Sequence, residues 1–134
     1  MKYIIIFLVL IILLNCSHKV APDFSWNHQR WVVVEMKGVS VQQSGGRKDA
    51  YISFEIGDKK ITGNGGCNIF NGNYSVDRNT IHFTEVMATK MSCNDIDFEN
   101  AFLSTLATVD HYEMRGNDLL LKRKKNTVLV LRSQ

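Results

Sequence analysis

A chain of 134 residues has room for one domain, and two full domains would not fit once an N-terminal segment is set aside. Its 16 basic and 13 acidic side chains leave a net charge of +3, part of it from Lys2, too mild a basicity to suggest a nucleic-acid partner. A hydrophobic fraction of 45%, with nine Gly and one Pro, excludes a disordered or low-complexity chain.

The chain opens with Met1 and Lys2, then an unbroken apolar run from Ile4 to Leu14, and turns polar at Asn15. This is the layout of a signal peptide over residues 1–15. A helix crossing roughly 30 Å of hydrocarbon needs about 20 apolar residues, so a lasting transmembrane anchor is the lesser reading. The run closes on Leu13-Leu14-Asn15-Cys16, which resembles the lipobox of bacterial lipoproteins. Leu13 and Cys16 match that pattern; Asn15 stands where a small residue is usual. The resemblance implies acylation of Cys16, which then becomes the N-terminus, and a permanent hold on a membrane through two or more chains. Residues 16–29, polar and containing Pro22, form the lipidated start and tether. Ser17 after the Cys resembles an outer-membrane sorting pattern, so the expectation is a bacterial envelope protein, at the outer rather than the inner membrane. Plain secretion with Cys16 unmodified is the alternative.

From Trp31 the chain alternates β-rich runs with turn signals at the spacing of an antiparallel meander or small barrel. Strands are expected at Trp31–Met36, Tyr51–Ile56, Lys60–Thr62, Phe70–Val76, Thr80–Phe83, Tyr112–Arg115, Leu119–Lys122 and Val128–Leu131. Gly57-Asp58, Asp77–Asn79, Gly116–Asp118 and Lys124–Asn126 supply residues that tolerate tight-turn dihedrals. Asn94–Val109 breaks the pattern: Phe98, Phe102 and Leu106 recur at the spacing of a helix stripe, which should cover an open end or one face of the sheet. Asn94 is placed to cap that helix, and Asp95, Asp97 and Glu99 lie where the macrodipole favours negative charge. A paired-carboxylate hydrolase is the weaker explanation for those three. The fold class is α+β, mainly β, with the domain spanning residues 30–134.

Three stretches carry a more specific signal: Ile61-Thr62-Gly63-Asn64-Gly65-Gly66-Cys67-Asn68, then Asn71-Gly72-Asn73-Tyr74, then Thr89-Lys90-Met91-Ser92-Cys93. They resemble the META domain family, whose members include the heat-shock lipoprotein HslJ. Trp31, Gly63, Gly66, Cys67, Asn68, Phe70, Gly72, Tyr74, Thr89, Met91 and Cys93 match its pattern in order. The resemblance implies a sheet curled into a partly open, lipocalin-like barrel with one packed helix. It implies no reaction, only envelope proteins loosely linked to stress tolerance.

With Cys16 given to lipid, Cys67 and Cys93 remain, and in an oxidising compartment such a pair most simply forms a disulfide. The competing reading makes Cys67 a thiol activated by His28, His82 or His111, none of which sits in a known signature. Gly63–Gly66 lacks the Lys-Ser/Thr and following helix of a phosphate loop, so a tight turn or bulge is expected. Met87, Met91 and Cys93 could offer soft sulfur to Cu(I), but methionines filling the core beside the disulfide are favoured, and no metal or cofactor is expected. Lys122–Lys125 reads as a solvated hairpin rather than a lipid-headgroup contact. Trp31, Phe70 and Tyr74 are expected in the core.

The functional expectation is a non-enzymatic, stress-related envelope module. Its partners are the membrane, through Cys16, and an unidentified protein or small molecule. The alternative is an inhibitor acting through the polar loop Val39–Asp49.

Overall fold

The computed structural model describes residues 29–43, 49–94 and 96–134; the segment expected to be a signal peptide, Cys16, His28 and Asp95 lie outside them. Nine strands and one helix follow in the order β1 (Arg30–Met36), β2 (Val39–Ser40), β3 (Tyr51–Glu55), β4 (Lys60–Asn64), β5 (Ile69–Asp77), β6 (Thr80–Ala88), α1 (Ile96–Leu106), β7 (His111–Arg115), β8 (Asp118–Arg123) and β9 (Asn126–Ser133). Every pairing is antiparallel and between sequence neighbours, except that β1 also pairs with β3 and with β9. That last pairing joins the two ends of the meander into a ring, so the first and last strands do not face solvent as raw edges.

The ring is uneven. Between β6 and β7 the ladder has the single pair Thr80↔His111, supported by Ile81 N–H to Asp110 O (3.1 Å) and Tyr112 N–H to Asn79 O (2.9 Å). The Tyr112 hydroxyl donates to Arg78 O at 2.7 Å, tying the β5–β6 turn to β7 across this thin seam. Above the seam β6 runs on to Ala88 while the chain opposite it turns into α1.

Alternation places one set of side chains inside. Trp31 and Val33, Ile52 and Phe54, Ile61, Phe70 and Tyr74, Ile81 and Phe83, Leu119 and Leu121, and Leu129 and Leu131 are all buried in one cluster with Phe102 and Leu106 of the helix. The rings meet edge-on rather than flat: Phe54 and Tyr74 at 5.2 Å, Phe70 and Phe102 at 5.9 Å. Burial of its ring raises the Tyr74 hydroxyl pKa.

All eight expected strands are present, most of them longer by one or more residues, and α1 is shorter at both ends than the expected Asn94–Val109. β6 reaches five residues past the expected Phe83 because a bulge interrupts its period of two. Glu85 adopts φ 53°, and Glu85 and Val86 together face the lone Gly72, after which Val86 and Ala88 pack toward the core. The sequence reading lacked β2, which is short and follows a two-residue turn in which Lys37 (φ 51°) and Gly38 (φ 81°) are both left-handed.

Candidate functional site

The β4–β5 turn is shaped by close approach. A Cβ on Gly63 would sit on the carbonyl oxygen of Tyr51 and 2.6 Å from the Phe70 ring, and a Cβ on Gly65 would lie 2.6 Å from Glu99 Cγ. Gly66 takes φ 112°, where side chains other than hydrogen are strained, and its N–H donates to Asn64 Oδ1 at 2.7 Å. Gly65 and Gly66 therefore make the expected tight turn and bring strand and helix together, whereas Gly63, expected in that turn, is a paired residue of β4.

Asn68, 1% exposed, is the hub of this end. Its Nδ2 donates to Glu99 Oε1 (2.8 Å) and Met91 O (3.3 Å), and its Oδ1 accepts from Thr89 Oγ1 (2.8 Å) and Met91 N–H (2.7 Å). Glu99 Oε2 accepts the backbone N–H groups of Asn68 (2.5 Å) and Cys67 (3.2 Å). Glu99 is 3% exposed, so this carboxylate is a buried acceptor and not a solvated charge at the helix start. The sequence reading grouped it with Asp95 and Asp97. The signal that separates it is position: it lies one residue beyond Phe98, turned toward the apolar face, whereas Asp97 is exposed.

A disulfide joins Cys67 to Cys93 beside this network, with Cα atoms 6.1 Å apart and a sequence separation of 26. Turn, Thr89–Cys93 segment and helix are thus fastened both covalently and by hydrogen bonds. Cys67 is spent in that bond, which removes it as a nucleophile in this state.

Beside the fastening lies a half-open groove of about 460 Å³. Met36, Val39, Val41, Ala50 and Phe98 give it an apolar wall, completed by Ser40, Gln42, Gln43, Asp49 and Gly66. The wall is held by Val41 N–H to Val34 O (2.9 Å) and by Gln43 Nε2 to Val33 O (2.5 Å). The described parts of the expected loop Val39–Asp49 therefore fold back as groove wall; residues 44–48 lie outside the described ones.

The titratable groups with altered pKa lie elsewhere, around β7–β9. Asp110 is held below its ordinary value by its hydrogen bond with His111 (2.7 Å) and by the Lys124 N–H (2.7 Å), with His82 adding positive charge. Glu113 is lowered by Lys122 and Arg115, and Asp118 by the two-pronged contact of Arg132 at 2.7 and 3.0 Å. Each of these partners sits on a surface strand or turn, and none of them lines the groove.

Met87 and Met91 correct an expectation. They are 67% and 60% exposed and do not fill the core. Met87 pairs with Asn71 on the outer face because the Glu85 bulge sets which residues of β6 point inward, and Met91 contributes its backbone, not its thioether, to Asn68. Among the described residues no three His, Cys, Asp or Glu gather as a metal site would require. Trp31, Phe70 and Tyr74 are buried as expected. Arg123, Lys124 and Lys125 are exposed at the β8–β9 turn, whereas Lys122 is partly buried against Glu113.

The META domain family model matches residues 24–134. The chain belongs to the META domain family. No curated protein sequence matches it significantly. Among solved structures, this META domain is similar to a protein from Burkholderia xenovorans solved by NMR, with TM-score 0.65, 19% identity, and 81% of this chain and 83% of that one covered. It is also similar to a DUF4847 family protein from Bacteroides vulgatus ATCC 8482 solved by crystallography, with TM-score 0.59, 17% identity, and 81% and 94% covered. These likenesses carry the fold. In the META pattern of this chain, Gly63, Gly66, Cys67, Asn68, Thr89, Met91 and Cys93 converge on one end of the barrel, and the partner that completes them, Glu99, stands in the helix.

Proposed function

We propose that this META domain is a non-enzymatic binding module of the bacterial envelope, exported by its signal peptide and held by lipid on Cys16. The observation that carries the reading is the apolar groove at the helix-covered end of the barrel. Small-molecule sites are concave, largely apolar and of roughly 300–1,000 Å³, and this groove has that size and lining. Met36 and Val39 pair in the β1–β2 ladder, and Val41 N–H and the Gln43 side chain bond back to β1, which holds this side of the groove in shape before any ligand arrives.

The ends of the chain support an outward display. The described chain enters β1 at Arg30 and leaves at Gln134, whose N–H donates to Arg30 O at 2.9 Å. On the groove, Met36 lies at the opposite end of β1, and Gly66 lies in the β4–β5 turn beyond Asn64, whose strand neighbour Tyr51 pairs with Val32 rather than with Arg30. A tether from Cys16 to Gln29 would meet the barrel at its far end and leave the groove facing away from the membrane.

Binding is tested with Nile red, a neutral apolar dye, on a chain beginning at Ser17, since every described element and the whole core cluster lie within residues 30–133. Saturable fluorescence enhancement that disappears in Val39→Asp and survives Met87→Asp is the expected result. Enhancement that ignores Val39→Asp, or none at all, contradicts a groove-binding role.

A further inference from the structure

We infer that the groove takes a single-chain amphiphile with an anionic head, such as a fatty carboxylate. The inference rests on the binding reading above and adds the chemistry of the ligand.

The wall offers a chain little to hydrogen-bond. Gln43 Nε2 is committed to Val33 O and the Gly66 N–H to Asn64 Oδ1, while Asp49, the one acid among the described wall residues, is 7% exposed and engaged within the chain. What remains toward the groove is chiefly Met36, Val39, Val41, Ala50 and Phe98, with Val39 69% exposed, and the only polar side chains of the described wall without a partner are those of Ser40 and Gln42. Burying such side chains against an alkyl chain removes apolar surface from water on both sides. A polar ligand would lose its water and find few partners.

The rim has the opposite character. Lys37 occupies the turn between Met36 and Val39, both of which line the groove. Its N–H donates to Val128 O at 2.9 Å, which brings the β8–β9 turn alongside, with Arg123, Lys124 and Lys125 exposed on it. None of these four cations makes an ion pair among the described residues, and the nearby carboxylate of Asp110 is occupied by His111 and the Lys124 N–H. An apolar wall bordered by uncompensated positive charge complements an alkyl chain that ends in one negative group.

The test compares decanoate with decanol, which share a chain and differ in head charge, by amide NMR shifts on the chain from Ser17. Decanoate should move Met36, Val39, Val41, Ala50, Gly66 and Phe98 saturably and bind more tightly than decanol. Replacing Lys37, Lys124 and Lys125 by Gln should weaken decanoate about fivefold, as expected for a few exposed charges, and leave decanol unchanged. Val39→Asp, a change at a position 69% exposed, should abolish both. Equal binding of the two ligands, insensitive to the Lys variants, overturns the anionic head while leaving the groove as a binding site. Absence of shifts with either ligand overturns the inference entirely, and Nile red then decides separately whether the groove binds at all.

Discussion

Glu99 and Asn68 hold each other through two contacts: the Asn68 N–H donates to Glu99 Oε2 at 2.5 Å and the Asn68 side-chain amide to Oε1 at 2.8 Å. The pair is sealed from water, so each group depends on the other for satisfaction. Asn68→Ala should therefore destabilise the domain by about 3 kcal/mol, since Glu99, Thr89 and Met91 all lose a partner. Glu99→Gln keeps the shape but turns one oxygen into a donor facing another donor, at a cost of about 2 kcal/mol. Urea unfolding of both variants measures these differences.

Reduction is a separate matter from the network. Closing the 26-residue separation between Cys67 and Cys93 stabilises the fold by about 3.5 kcal/mol in the chain-entropy account. Thermal melts with and without reductant should show a clear fall in Tm, with the reduced protein still folded at 25 °C because the hydrogen bonds of Asn68 and Glu99 persist.

Gly63, in β4, and Gly65, in the turn that follows, should respond differently to Ala. At Gly63 the new methyl meets backbone, the Tyr51 carbonyl, which cannot move without breaking the β3–β4 ladder; a loss of about 3 kcal/mol or more is expected. At Gly65 it meets the Glu99 side chain, which can withdraw at the expense of its hydrogen bonds, for about 2 kcal/mol. Combining Gly65→Ala with Glu99→Gln should then cost less than the sum, which a double-mutant cycle reads directly.

Acid should loosen the β7–β9 side. Asp110, Glu113 and Asp118 are each lowered in the folded state by hydrogen-bonded partners, so their contribution is present above the unfolded carboxylate range near about pH 4 and lost as pH falls through the folded values. Asp118→Asn should lower Tm at pH 7, and the difference should shrink as pH falls through the lowered folded value of Asp118, below which the carboxyl is protonated in both folded and unfolded chains. A constant difference across that range would contradict the assignment.

Much of the fold was legible because inward positions such as Ile52 and Phe54, or Leu119 and Leu121, repeat at the period of a strand, and Phe98, Phe102 and Leu106 at that of a helix. The period fails where the backbone does something extra. The Glu85 bulge hid the second half of β6 and with it the outward placement of Met87. The turn motif was visible as glycines and cysteines, but Glu99 was not, because a carboxylate in the first turns of a helix has a sufficient local explanation and its partners lie 31 and 32 residues away in sequence. The groove was out of reach for the same reason: it is assembled from β1 with β2, the β4–β5 turn and α1, stretches far apart in sequence that meet only in the folded domain.

The central claim is a disulfide-fastened META domain tethered to a membrane through Cys16. Intact mass of the protein extracted from membranes, before and after reduction and alkylation, tests it most directly. The account predicts an acyl adduct on Cys16 and two alkylated sulfurs, Cys67 and Cys93, appearing only after reduction. An unlipidated chain whose Cys67 and Cys93 alkylate without reductant would contradict it.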